Sequence, residues 1–233
     1  MLEKLKEQVY IANLNLVKSG LVKFTFGNAS GYDAESKLFV IKPSGVSYDA
    51  LTAKDMVVVD LDCNIVEGDK NPSSDTPTHA ELYKAFPGIG GVVHTHSHWA
   101  TAWAQAVLNI PVLGTTHADY FNGEIPCTRD LEDDEIAIGY EKNTGLVIAE
   151  TFEELSPYEI PACLVAGHGP FCWGKDCHEA VFNAEVLEEI AALAYHSDGL
   201  DPELPQLGAA LRQRHYYRKH GKNSYYGQAD SVR

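Results

Sequence analysis

Basic residues are scarce in this chain of 233 residues: 18 Lys and Arg stand against 33 Asp and Glu, for a formal net charge of -15. Such a surface repels polyanions, which argues against a nucleic-acid partner and leaves any anionic substrate to be held by local donors. An apolar run long enough to span a bilayer is also missing, and Met1-Leu2-Glu3-Lys4-Leu5-Lys6 has no signal-peptide pattern. A cytoplasmic protein with no membrane partner is expected. The five cysteines (Cys63, Cys127, Cys163, Cys172, Cys177) are odd in number and include no Cys-x-x-Cys pair. Reduced thiols used as small core residues fit that usage better than a disulfide framework or a zinc ribbon. No repeat, low-complexity segment or linker interrupts the chain, so one domain over residues 1–233 is expected, with 45% hydrophobic content to build its core.

The apolar residues that are present mark the elements. Leu2, Leu5, Val9, Ala12 and Leu16 recur at helical spacing and stop at Ser19-Gly20. Leu21 to Phe26 has the pattern of a strand, Gly27-Asn28-Ala29-Ser30-Gly31 that of a turn, and Lys37 to Ile41 that of a second strand. Met56 to Leu61 and Ile65 to Glu67 flank Asp62-Cys63-Asn64 as a hairpin. Asp75-Thr76-Pro77-Thr78 opens a helix that Pro87 ends, and Ser97 can cap another carrying Trp99, Ala102, Trp103 and Ala106. Val112-Leu113, Gly145 to Ala149 and Ala162 to Val165 are expected as short strands. Asp176-Cys177-His178-Glu179 is a capping box for a long helix, and a loop from Asp201 to Pro205 leads to a last helix and the tail Tyr225-Tyr226-Gly227-Gln228. Hairpin-spaced strands mixed with helices predict an α/β domain whose central sheet is largely antiparallel and flanked by helices.

Chemistry concentrates in Gly90-Gly91-Val92-Val93-His94-Thr95-His96. Residues two apart on a strand point the same way, so His94 and His96 could grip one metal ion. An isolated His-x-His is equally a strand with two ordinary histidines, so a third ligand has to be found. His168, between glycines at the end of the apolar run Cys163-Leu164-Val165, is the best candidate. Three histidines with an open position suit a catalytic zinc. Gly27-Asn28, Lys42-Pro43-Ser44-Gly45 and Ser73-Ser74 are turn-like stretches with amide, hydroxyl or cationic donors, the last just ahead of a helix N-terminus, where an anion is favoured. Each could equally be a plain turn, and Asp75 could be either the N-cap of its helix or a fourth, exchangeable metal ligand.

Taken together, Gly27-Asn28, Lys42-Pro43-Ser44-Gly45, Pro72-Ser73-Ser74-Asp75-Thr76-Pro77-Thr78-His79, His94-Thr95-His96, Thr115-Thr116-His117-Ala118-Asp119-Tyr120-Phe121 and His168-Gly169-Pro170-Phe171 resemble the class II aldolase/adducin superfamily. Within it the chain resembles the L-ribulose-5-phosphate 4-epimerases, from near its first residue to Gln228. That resemblance implies a homotetramer of cyclic four-fold symmetry, with one Zn2+ per subunit held by Asp75, His94, His96 and His168. It implies a sugar-phosphate substrate with its phosphate on Ser44, Gly45, Ser73 and Ser74, beside Gly27, Asn28 and Lys42. It further implies Asp119 and Tyr226 as the acid/base pair, with Tyr226 from a neighbouring subunit and His215 assisting. On sequence alone Asp119 is a turn residue, Tyr226 a packed or exposed aromatic, and His215 a helix-surface histidine. His98, His178, His196 and His220 are expected to be ordinary surface or helix residues, while His79 and His117 could support the ligands. Aldolases of the superfamily place a glutamate near the metal where this chain has Asp75, which favours the epimerases. A thiosugar-phosphate dehydratase and a non-catalytic adducin-like module are further alternatives within the superfamily.

Overall fold

The computed structural model of the chain describes residues 2–220 and 224–226; Met1, residues 221–223 and residues 227–233, with Gly227 and Gln228 of the tail, lie outside the described residues. The chain folds as a single α/β domain around one seven-stranded sheet. Its strands are β1 (Asn28–Asp33), β2 (Leu38–Ile41), β3 (Val57–Asp60), β4 (Ile65–Glu67), β5 (Gly91–His94), β6 (Ala162–Val165) and β7 (Gly169–Gly174). They lie in the order β4-β3-β2-β1-β5-β7-β6, and every pairing is antiparallel. The helices are α1 (Glu3–Lys18), α2 (Thr76–Ala85), α3 (His98–Gln105), α4 (Thr115–Ala118), α5 (Asp133–Ala137), α6 (Tyr140–Thr151), α7 (Cys177–Leu200) and α8 (Ala209–His220). No helix among the described residues is long and apolar enough to cross a membrane. All five cysteines are free.

Alternation along β1 sorts the layers. Ala29 and Gly31 meet α1: buried Asn13 donates to the Ala29 carbonyl and accepts from its N–H, both at 3.0 Å. Ser30 and Tyr32 face α2, where Ser30 lies 2.7 Å from the Tyr83 hydroxyl and Tyr32 stacks on Tyr83. Residues paired across antiparallel strands share a face. Asn28 pairs with His94 and His94 with Phe171, so all three belong to the α2 side of the sheet.

Several expectations are corrected. Residues 28–31 are not a turn but the start of β1. Their small side chains serve close approach: a Cβ on Gly31 would lie 2.9 Å from Leu5 and from Val9 of α1. The expected strand from Leu21 to Phe26 is instead a turn, with Leu21 and Val22 buried, Phe24 at φ 57 and the Phe26 N–H on the Lys23 carbonyl. The apolar run Gly145 to Ala149 belongs to α6, not to a strand. Gly145 lets that helix press on α2, since its Cβ would meet Glu81 at 2.7 Å. Val112-Leu113 forms no strand, and the Val112 carbonyl accepts from Leu207 instead. The sequence reading missed β7, whose Pro170 and two glycines hide a six-residue strand. The helices at 76–85, 98–105 and 177–200 start where the capping residues place them, and the Asp176 carboxylate accepts from the amides of His178 and Glu179.

Candidate active site

Three elements bring the histidines together. His94 ends β5, His96 follows it into the loop before α3, and His168 sits in the tight β6–β7 connection, where Gly167 takes φ 67 and the His168 N–H returns to the Val165 carbonyl. The ring centroids stand 4.7 Å (His94–His168), 4.9 Å (His94–His96) and 5.0 Å (His96–His168) apart. Their ligand atoms all lie within 4.8 Å of one another.

The donor set fits a metal ion. Nδ1 of His94 donates to the Pro170 carbonyl at 3.0 Å, which fixes the tautomer and leaves the Nε2 lone pair free. That Nε2 lies 3.1 Å from Nε2 of His96. Two imidazole nitrogens about 2.0–2.1 Å from one tetrahedral zinc would stand roughly 3.3 Å apart, so the spacing is close to what zinc requires. Burial pushes the His94 imidazole down to about 3, against the pull of Asp75, and lowers those of His96 and His168 as well. All three rings are therefore neutral near pH 7, the state in which imidazole binds metal.

Asp75 occupies the N-cap position of α2, yet its side chain makes no cap hydrogen bond. Its Oδ2 instead accepts from Asn28 Nδ2 at 2.6 Å. Burial would raise its pKa, but the neighbouring His94 and His79 and the Asn28 hydrogen bond hold it below the ordinary carboxylate value. A carboxylate withheld from capping and kept ionised beside three imidazoles can serve as a fourth ligand. Behind them His79 is fully buried, with Nδ1 2.7 Å from the Ser30 hydroxyl and Nε2 unpartnered. Its ring meets the edge of Phe171, which stacks on His94 at 4.2 Å.

His94, His96, His168 and Asp75 open onto a cavity of about 420 Å³. The residues expected to bind the substrate or its phosphate (Gly27, Asn28, Lys42, Ser44, Gly45, Ser73 and Ser74) all line it. Their three segments are tied to one another. The Ser44 N–H donates to Asn71 and the Ser73 N–H to the Lys42 carbonyl, while Asn28 Nδ2 lies 3.1 Å from Ser73 Oγ. Gly27, at φ 100, passes so close to β5 that a Cβ would sit 2.7 Å from the His94 carbonyl.

Sequence reasoning missed Tyr140 and Glu141, at the start of α6, and Phe26, all of which line the cavity. The Tyr140 hydroxyl is 3.0 Å from His168 Nδ1. For His168 to offer Nε2 to a metal, Nδ1 must carry the proton and donate to that oxygen. No local motif announces Tyr140, because the strand expected at 145–149 obscured the helix it opens.

Asp119, His215 and Tyr226 do not line this cavity within one chain. They form a second cluster, where Asp119 accepts from His215 Nδ1 at 2.9 Å and from Arg218 Nε and Nη2 at 3.0 and 2.7 Å. Burial raises the Asp119 pKa, but these bonds from Arg218 and His215 outweigh it and leave the group lowered. The half-exposed Tyr226 ring packs against Arg218 and Lys219. His215 is thus no free surface histidine, and His220, expected to be ordinary, lies with its Nε2 2.9 Å from the Asp119 carbonyl. His98, His178 and His196 are exposed, as expected. His117 is buried on the Gly123 carbonyl and does not line the cavity.

The fold recurs among known proteins. Among solved structures, an L-fuculose 1-phosphate aldolase superposes with a TM-score of 0.81 at 24% identity, covering 92% of this chain and 95% of that one. This match speaks for the fold. A second L-fuculose-1-phosphate aldolase, from Thermus thermophilus, is 27% identical with a TM-score of 0.67 over 88% of this chain and 99% of that one. YgbL of Klebsiella pneumoniae, for which aldolase, epimerase and decarboxylase activities are all candidates, is 27% identical with a TM-score of 0.72 over 92% and 99% of the two chains. Residues 7–195 match the family described as the class II aldolase and adducin N-terminal domain, and to that family this chain belongs.

Proposed function

We propose that this chain, as one domain over residues 1–233, is a cytoplasmic epimerase. It interconverts L-ribulose 5-phosphate and D-xylulose 5-phosphate, with one zinc per subunit, in a homotetramer whose active sites form between subunits. One observation carries the reading. A cluster of neutral imidazoles with an ionised Asp75 and an array of phosphate-type donors share one cavity of about 420 Å³. This arrangement suits a substrate with an oxygen-rich carbon chain and a phosphate end.

The chemistry follows from the substrate. In a 2-ketose the carbonyl acidifies the hydrogens on C1 and C3 but not the one on C4, so inversion at C4 by direct deprotonation is a poor route. Cleaving C3–C4 avoids it. A base takes the C4 hydroxyl proton, the C4–O electrons form an aldehyde, and the C3–C4 bonding pair moves onto C3, conjugated with the C2 carbonyl. Zinc, when bound, would supply the Lewis acidity that stabilises the enediolate so formed. The fragment released in place is glycolaldehyde phosphate. Ser44, Gly45, Ser73, Ser74 and Lys42 hold its phosphate while the aldehyde turns over. C3 then adds to the opposite face, and an acid returns the proton to the new C4 oxygen. Asp119 and Tyr226 are assigned as the two acid/base groups, one for each configuration, with His215 assisting. Their separation from the metal cluster within one chain fits an active site completed by a neighbour.

The test is conversion of L-ribulose 5-phosphate to D-xylulose 5-phosphate by the purified protein after chelation, with and without added zinc. Zinc-restored conversion supports the reading. No conversion in either condition, with the tetramer intact, overturns it.

A second reading, a sugar-phosphate aldolase, is favoured by the 27% identity to the Thermus thermophilus protein. Product release separates the two. An aldolase accumulates free aldehyde, whereas an epimerase holds both fragments until they rejoin.

A further inference from the structure

Tyr48 does not line the cavity, yet it touches two of the segments that do. It is 7% exposed, and its hydroxyl donates to the Gly27 carbonyl at 2.8 Å. The Lys42 ammonium stands 4.8 Å from the centre of its ring. Lys42 is itself 3% exposed, and the hydrogen bond of its Nζ is to the Pro43 carbonyl at 3.3 Å. A buried ammonium with so little company is stabilised by an aromatic face. The Gly27 carbonyl is an acceptor beside a cavity built for an anion. Left free to turn inward, it would set one oxygen against another.

We propose that Tyr48 is the positioning residue of the phosphate end of the cavity. Its hydroxyl keeps the Gly27 carbonyl turned away from the anion, and its ring holds the Lys42 ammonium in place. Side-chain hydrogen bonds from Asn28 to Ser73 and Asp75 join residues 27–28 to 71–75, and backbone hydrogen bonds join 42–44 to 71–73. Tyr48 supplies the remaining link, from the 42–48 segment back to Gly27. The three segments thereby form a closed ring around the donors. The inference rests on the phosphate reading of the cavity given above and extends it to a residue outside the lining.

Two variants separate the two contacts. Tyr48→Phe removes the hydroxyl and keeps the ring, while Tyr48→Leu removes both. The full zinc-loaded protein is titrated with inorganic phosphate by calorimetry, and steady-state kinetics with L-ribulose 5-phosphate are measured alongside. Tyr48→Phe is expected to weaken phosphate binding and raise KM together, by roughly five- to tenfold, with kcat unchanged within about twofold. Tyr48→Leu is expected to weaken phosphate binding further, with zinc content unchanged in both. Wild-type phosphate affinity and KM in Tyr48→Phe would overturn the proposal, as would a fall in kcat with KM constant, which marks general damage to the site. Wild-type protein that binds no inorganic phosphate and turns over unphosphorylated L-ribulose equally well would instead remove the phosphate reading itself, and this inference with it.

Discussion

Asn28 Nδ2 donates to Asp75 Oδ2 at 2.6 Å, joining the first residue of β1 to the residue that precedes α2. The bond turns the Asp75 carboxylate away from the free amides of its own helix and toward the histidines. Asn28→Ala should release Asp75 to cap α2 as an aspartate at that position ordinarily does. The expected result is a loss in kcat/KM of roughly 10- to 100-fold with little change in thermal midpoint. Steady-state kinetics and a circular-dichroism melt on the same sample check it. Wild-type turnover would show that the orientation of Asp75 does not matter.

His96 is the exposed member of the histidine cluster, so it can be removed without opening a cavity in the core. His96→Ala should purify with zinc close to zero per chain, with activity lost in parallel. His94→Ala should do the same, although it also removes the ring stacked on Phe171. Metal analysis by mass spectrometry decides. Full zinc with normal turnover in either variant would dismantle the metal assignment.

Tyr140→Phe keeps the ring near His168 and deletes the oxygen 3.0 Å from Nδ1. Zinc affinity, measured by competition with a chromogenic chelator, is expected to fall about 10- to 100-fold, the usual effect of removing the hydrogen-bond partner of a metal-ligating imidazole. The melting temperature of the zinc-free protein should stay as in the wild type. An unaltered affinity would limit Tyr140 to lining the cavity.

Much of the site was legible because it is written in short contiguous motifs. His94-Thr95-His96, Lys42 to Gly45 and Ser73 to Asp75 each carry their chemistry within a few residues, and the fold brings them to one cavity. Tyr48 and Tyr140 were not legible, because each acts through a partner far away in sequence, Gly27 in one case and His168 in the other. The fold was misread for a related reason. Small residues at Gly31 and Gly145 look like turn or strand punctuation, whereas their purpose is to let α1 approach β1 and α6 approach α2.

His79 and His117 are buried, and burial takes both imidazoles down to about 4, against about 6.5 in the unfolded chain. Between those values the unfolded chain binds protons that the folded chain refuses. Stability is therefore unaffected above about pH 6.5 and declines as pH falls toward 4, by about 1.4 kcal/mol per pH unit for each histidine. Urea denaturation at pH 7.5 and pH 5 should show this loss. His117→Gln should shrink the difference between the two pH values, and the His94–His96–His168 cluster leaves this test undisturbed, since His117 bonds to the Gly123 carbonyl and does not line the cavity. An equal difference in the variant would shift the acid sensitivity to other groups.

Asp119, His215 and Tyr226 form one cluster, and His94, His96 and His168 another, with no residue of the first in the cavity of the second. If catalysis needs both, a single active site draws its metal from one chain and its acid/base groups from another. His96→Ala and Tyr226→Phe chains should then each be inactive alone. Unfolded together and refolded as mixed oligomers, they should regain activity, because some sites combine an intact metal cluster with an intact tyrosine. In the proposed cyclic tetramer, random mixing leaves about a quarter of the sites with both parts intact, so roughly a quarter of wild-type activity is expected. Sites built within single chains cannot complement in this way. Mixed oligomers that stay as inactive as either parent would return the acid/base groups to the chain that holds the metal.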